Sequence, residues 1–229
     1  MAEETLAGQV LKQVLKLHGL PMSSCTTRVM ICLHEKGVEF ELVPVDLFTG
    51  QHKQPPFLDK NPFGQIPVLE DGDLTIFESR AITQYISEKY KDQGTDLVHP
   101  GSLEQCTMVK VWSEVESHQF NPVISPIIYQ FFVEPLQGKS PDQAIVDENL
   151  EKLRMVLDVY EERLGKTKYL AGDFFSLADL HHMPFLFYFM KTPWSSVVDE
   201  RAKVKAWWED ISSRDAFKKV AEGMKFGEN

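Results

Sequence analysis

Cysteine is scarce in this chain. Only Cys25, Cys32 and Cys106 occur among 229 residues, with no CxxC and no paired spacing. That argues against a disulfide framework and fits a reducing compartment. Positive charge is also in short supply: 24 Lys and Arg face 34 Asp and Glu, a formal net charge of -10. A balance of that sign argues against a nucleic-acid backbone or an anionic membrane as partner, although it leaves room for a local basic pocket. Long apolar runs are missing. The most apolar window, Met183 to Met190, is too short for a bilayer and carries Pro184 and Tyr188. The amino terminus, MAEETLAGQVLKQ, lacks a basic start followed by an apolar stretch and does not read as a secretory signal. No internal repeat is present. The expectation is a soluble, cytosolic protein.

What is present is an ordinary globular composition, 43% hydrophobic and 25% charged. At this length roughly 70–75% of the unfolded surface can be buried, so a core forms without staples. One stretch organises the rest, Asn61 to Arg80, NPFGQIPVLEDGDLTIFESR. Pro67 opens an apolar run that stops at Asp71-Gly72, a dipeptide suited to a tight hairpin turn. Leu74 to Phe77 reads as the returning strand. Glu78-Ser79-Arg80 then starts a helix with Ser79 placed like an N-cap. Pro67 biases Ile66 to an extended backbone, free to pair with a bound peptide in the manner of an added strand. A helix N-terminus at Ser79 suits a carboxylate. The same signals equally describe a turn and a cap.

Upstream, Leu6, Val10 and Val14 recur at helical spacing, compatible with a short helix or a disordered tail. Val14 to His18 alternates like a strand, and Gly19-Leu20-Pro21 ends it. A helix follows from the Ser23 region to Gly37, with His34, Glu35 and Lys36 behind its apolar face. Phe40 to Val45 is a second strand, and such a β-α-β unit favours a parallel pair. Asp46 to Lys60 is mostly loop. Residues 92–99 read as a linker, and beyond Pro100 the pattern is helical. Leu103 to Phe120 and Asp142 to Leu164 are amphipathic, the second closed by Gly165. Phe175-Ser176-Leu177-Ala178-Asp179-Leu180 carries a capping box at Ser176 and Asp179. A long apolar helix is expected after it, and another from Arg201 to Ile211.

The strings PMSSCTTRV, QHKQPPFLDKNPFGQIPVLEDGD and FESRAI, followed by FSLADL in a helical module, resemble the plant phi class of cytosolic glutathione transferases. The resemblance runs from Val14 over nearly the whole chain. It implies an α+β/α architecture: an extension at 1–12, a thioredoxin-like domain at 13–91 and an all-helical domain at 100–229. It also implies a homodimer and conjugation of glutathione to hydrophobic electrophiles, with reduction of organic hydroperoxides as a side activity. Glutathione would be a co-substrate, with no resident cofactor and no metal. Two other functions stay open: a non-catalytic ligand-binding protein on this fold, and a Cys25-dependent thiol transferase.

Ser23 is the candidate for chemistry. A thiol with pKa near 8.5 is only a few per cent ionised at neutral pH, and the thiolate is the nucleophile. Lowering that pKa by two units takes ~2.7 kcal/mol of preferential thiolate stabilisation. A hydroxyl at a helix start supplies a hydrogen bond and the helix dipole together. Ser23 read alone is an N-cap; the family resemblance gives it the catalytic role and places both Ser23 and the adjacent Ser24 among the glutathione-binding residues, leaving open whether Ser24 shares that role. Cys25 lies two residues on, about 200° around an ideal helix, and is expected to pack as a small apolar residue. The resemblance assigns His52 and Lys53 to the glycine carboxylate of glutathione, Gln65 and Ile66 to its cysteinyl part, and Glu78 and Ser79 to its γ-glutamyl end. It also makes Pro67 cis. The electrophile pocket is expected near Met22 and between Phe120 and Phe132. His181-His182, the Phe185–Phe189 run and Trp207-Trp208 read as core.

Overall fold

The computed structural model describes residues 14–226, so the expected N-terminal extension, with Leu6 and Val10, lies outside the described residues. β1 (Leu15–Gly19) buries Leu15 and Leu17 and exposes Lys16 as its sequence suggests, but the alternation ends at His18, which is buried and paired with Glu70 at 2.7 Å. α1 (Ser24–Glu35) follows, and Gly37 at φ 61 takes the left-handed conformation that turns the chain after it. β2 (Phe40–Pro44) returns parallel to β1. After a short turn at Gln51–Lys53 and α2 (Phe57–Lys60), β3 (Val68–Asp71) pairs antiparallel with β1. β4 (Leu74–Phe77) closes a hairpin over Gly72 and Asp73, with Gly72 at φ 64. The result is one 4-stranded sheet in the order β2-β1-β3-β4, followed by α3 (Ser79–Lys89). The Ile66–Pro67 bond is cis, and so is Pro55–Pro56.

The second module is helical. α4 (Leu103–Val115) does not stop at Phe120 as its amphipathic pattern suggests. It runs through a π-helical turn at Glu116–Phe120 into α5 (Asn121–Ile128), then a second π turn at Tyr129–Val133 and α6 (Glu134–Leu136). Pro122 and Pro126 hide this continuation in the sequence, because an internal proline removes a backbone donor. α7 (Gln143–Leu164) buries Leu150, Leu153, Leu157, Tyr160 and Leu164 on one stripe. The apolar helix expected after Ser176 is split into α8 (Leu177–Leu180) and α9 (Met183–Phe189), with His181 and His182 at the break. α10 (Ser196–Asp199), α11 (Ala202–Ser212) and α12 (Asp215–Ala221) complete the chain.

One continuous apolar core joins the two modules, from Leu15 and Val29 to Leu180 and Ile211. Residues expected on the solvated back of α1 hold that junction instead. Glu35 is buried and accepts from Arg214 Nε (2.6 Å) and Nη2 (2.7 Å), while Lys36 Nζ donates to the Thr95 carbonyl (2.9 Å). Charged groups are kept in such places only when paired.

Candidate functional site

The site begins at the start of α1. Ser23 has an extended backbone (φ -77, ψ 121) and is the N-cap: its hydroxyl oxygen accepts from the Thr26 N–H at 3.4 Å. That contact uses the oxygen and leaves the hydroxyl proton for a further acceptor. Tyr188, from α9, donates its hydroxyl to the Met22 carbonyl at 2.7 Å and ties the helical module to this loop.

Across the cavity, the turn at Gln51–Lys53 packs on the loop before β3. Gly64 permits that approach at φ 56, since a Cβ there would sit 2.6 Å from the His52 carbonyl oxygen. Asn61 is buried and donates through Nδ2 to the Gln65 carbonyl at 2.7 Å, which fixes the segment leading to Ile66. Lys53 Nζ donates to the Phe63 carbonyl at 3.0 Å. Burial, reinforced by the neighbouring Lys53 charge, holds His52 below the usual histidine range, and its Nδ1 is buried with no partner among the described residues.

The helix start at α3 departs from the sequence expectation. Glu78, not Ser79, is the N-cap, and its side chain makes no capping bond. Glu78 also adopts φ 70, a conformation L-residues avoid and one that concentrates at functional sites. Ser79 lies one residue inside the helix, buried, and its hydroxyl accepts from Arg28 Nη1 at 2.8 Å. Arg80 Nε donates to Glu116 Oε2 at 2.6 Å, and its Nη2 is buried without a partner among the described residues.

Ser23, His52, Lys53, Gln65, Ile66, Glu78 and Ser79 line one cavity of about 370 Å³. Ser24 does not; it lines a second, more apolar cavity of about 540 Å³ beside it. Met22 lines that second cavity as expected, and so do Ile128 and Tyr129. Val133, Phe185 and Phe226 were not expected there. Phe120, placed there by the sequence reading, is fully buried and stacks on Tyr160 in the core. Ser23, Cys25, Leu47, His52 and Tyr129 line both cavities and so mark their junction.

The Cys25 expectation is therefore corrected. Its 200° rotation assumed that Ser23 was itself helical, whereas Ser23 is an extended cap. Cys25 is partly exposed and faces the junction, with Arg28 Nη1 at 3.8 Å from its sulfur. Arg80, Leu47, Asn61 and Gly64 also line the first cavity and were missed in the sequence; the arginine in FESRAI was an available signal for the first of them.

Chemically, the first cavity presents the Lys53 ammonium and the His52 imidazole at one end, and the strained Glu78 carboxylate, Arg80 and the helix N-terminus of α3 at the other. It suits a small extended peptide with a carboxylate at each end and an amine. A hydroxyl stands where that peptide would meet the apolar cavity. Residues 13–88 match the family model "Glutathione S-transferase, N-terminal domain", and residues 120–215 match "Glutathione S-transferase, C-terminal domain".

The chain belongs to the glutathione S-transferase family. Glutathione S-transferase F13 of Arabidopsis thaliana is 60% identical over 92% of this chain and 96% of its own length. The crystal structure of glutathione transferase F7 from Populus trichocarpa is 68% identical, with a TM-score of 0.92, over 93% of this chain and all of that one. Glutathione S-transferase I from mais, solved in complex with an atrazine glutathione conjugate, is 47% identical, with a TM-score of 0.88, over 94% of this chain. The phi-class resemblance and the thioredoxin-like plus helical transferase architecture therefore hold. Among the described residues of this glutathione S-transferase, no helix is long and apolar enough to cross a membrane. Nor could any group of three or more His, Cys, Asp or Glu side chains there hold a metal ion.

Proposed function

We propose that this transferase binds reduced glutathione in the 370 Å³ cavity and conjugates its sulfur to hydrophobic electrophiles held in the 540 Å³ cavity. The meeting of the two cavities at Ser23 carries the reading. The glycine carboxylate lies toward His52 and Lys53, the cysteinyl backbone pairs with Ile66 beside Gln65, and the γ-glutamyl end rests on Glu78 and Ser79. Ser23 donates its hydroxyl proton to the glutathione sulfur and favours the thiolate, supported by the dipole of the 12-residue α1. The thiolate attacks the electrophilic carbon, a new C–S bond forms, and the leaving group departs with its electron pair. Ser24, in the apolar cavity, contacts the electrophile side.

Glutathione serves as co-substrate and no resident cofactor is needed. Reduction of organic hydroperoxides is a side activity of the same thiolate, and the protein works in the cytosol. It functions as a homodimer, which would cover the apolar groove around Trp112, Val115, Met155 and Val159 and the 65%-exposed Phe63. A spectrophotometric conjugation assay with glutathione and a generic aromatic electrophile tests the reading. Turnover proportional to enzyme supports it, and tight glutathione binding without turnover would make the chain a ligand-binding protein.

A further inference from the structure

Conjugation leaves one reactive group at the junction without a task. Cys25 lines both cavities, is partly exposed and lies in the first turn of α1. Its sulfur accepts from Arg28 Nη1 at 3.8 Å, a guanidinium with no solvent exposure. A relative of the same fold carries a glutathione conjugate, so a glutathionyl group is the ligand to be expected beside this thiol. The other cysteines lack this setting. Cys32 is fully buried against Ser87 and the Thr83 carbonyl, and burial pushes its thiol up to about 12. Cys106, on α4, lines neither cavity.

We propose that Cys25 is a glutathionylation site: glutathione disulfide, seated by one half in the 370 Å³ cavity, transfers that half to Cys25 and thereby shuts off conjugation. The proposal rests on reading that cavity as the glutathione socket. The Cys25 sulfur attacks the seated glutathionyl sulfur and a new S–S bond forms. The original S–S bond breaks, and its electron pair leaves with the second half, which takes up the proton lost from Cys25 as reduced glutathione. Nothing else is oxidised or reduced, so the exchange runs backwards when reduced glutathione is in excess.

The socket gives this cysteine a selectivity that exposure alone would not. The seated half presents its carboxylates and amine to the groups that hold the substrate, which raises the effective concentration of disulfide at Cys25. Once attached, the glutathionyl group fills the space a substrate glutathione needs. Conjugation would then follow the ratio of reduced to oxidised glutathione through the ligand itself.

The test uses the full-length reduced protein, equilibrated with mixtures of reduced and oxidised glutathione. Intact mass, peptide mapping, conjugation rate and calorimetric binding of reduced glutathione are followed in parallel. The expected result is one glutathionyl group per chain, on Cys25, with the rate falling in proportion to the modified fraction. Both changes reverse in excess reduced glutathione. Cys25→Ser and Cys25→Ala should take up no group, and once free oxidised glutathione is removed by gel filtration each variant should recover its own untreated rate, whereas modified wild type should not. Because wild-type mapping locates the adduct directly, the test survives a variant that folds poorly. The proposal fails if a protein that binds reduced glutathione forms no adduct, if Cys106 alone is modified, or if modified Cys25 leaves the rate unchanged. Failure to bind reduced glutathione at all would overturn the socket reading as well.

Discussion

The Arg28 guanidinium and the Glu116 carboxylate meet 3.1 Å apart, with neither side chain exposed to solvent, across the boundary between the α/β and helical modules. Arg28 also donates to the His181 carbonyl from Nε (3.3 Å) and Nη2 (3.2 Å) and to the Ser79 hydroxyl from Nη1 (2.8 Å). Glu116 accepts Arg80 on its other oxygen. One buried carboxylate therefore supports both arginines behind the start of α3.

Glu116→Ala leaves the Arg28 charge buried with its carboxylate partner gone. The expected loss is about 3–5 kcal/mol of stability, the usual cost of breaking a buried pair from one side. Glu116→Gln keeps an acceptor for one arginine and should lose less. Urea unfolding of both variants checks this, together with glutathione affinity, which should weaken because Ser79 and Arg80 lose their support. A loss under ~1 kcal/mol for the alanine variant would remove Glu116 from this role.

Ser23→Ala should lower conjugation by about 10²-fold or more, the typical effect of one preorganised donor, while glutathione binding largely persists. Ser24→Ala should act on the KM for the electrophile, since Ser24 lines only the apolar cavity. Steady-state kinetics on both variants decide the assignment. Near-silent Ser23→Ala beside a crippled Ser24→Ala would move the catalytic hydroxyl by one residue.

Asp179 does more than cap α8. Its carboxylate accepts from the N–H (3.1 Å) and hydroxyl (3.2 Å) of Ser176, from the Leu170 N–H (3.0 Å) and from Trp207 Nε1 (3.0 Å). The Ser176 hydroxyl in turn accepts from the Ala178 N–H at 3.3 Å, and the reciprocal capping box with Asp179 that the sequence pattern implied is formed. Asp179→Ala orphans several buried donors, so the loss should reach about 2 kcal/mol or more, beyond the ~1 kcal/mol of a cap alone. Thermal denaturation should show it, and glutathione affinity of the folded fraction should stay near normal. Unchanged stability with lost binding would place Asp179 in the site.

Acid stability should separate two neighbours in this core. His182 donates through Nδ1 to the Ala178 carbonyl at 2.7 Å and accepts from the Tyr160 hydroxyl at 2.9 Å, and burial lowers it from 6.5 to about 4. A depressed folded value means its contribution is present above pH 6.5 and lost as pH falls through about 4, at most about 3 kcal/mol. His181, held well below 6.5 by burial and then by Arg28, acts in the same direction. Asp179 has the opposite sign. Burial raises it from 3.8 to about 6, so its contribution is present below 3.8 and lost as pH rises through about 6. Asp179→Asn should therefore lose stability more steeply than wild type between pH 6.5 and 4, and His182→Gln less steeply. Unfolding free energies across that window give the slopes; identical slopes in all three proteins would contradict both assignments.

The β-α-β order, the hairpin and the capping box were legible because each is written in neighbouring residues. Strand alternation, a glycine at positive φ and a serine three residues before an acid are local signals, and β1, β2, β3 and α8 follow them. Seven of the eight candidate residues reached one cavity, since the loops that carry them are short and tied to that local frame. Ser24 was misplaced by one side-chain direction, which depends on where helical geometry begins.

The sequence alone determined the two-module architecture, the family and the serine at the first helix. The tertiary structure decided what those elements face. Glu116 reaches Arg28 across 88 positions and Tyr188 reaches Met22 across 166, and no periodicity records such pairings. They arise when two apolar faces pack and every charge or hydroxyl trapped between them must find a partner. Cys25 turned toward the junction for a related reason. The extended cap at Ser23 set the first turn of α1, and only the packed helical module supplied the wall opposite it.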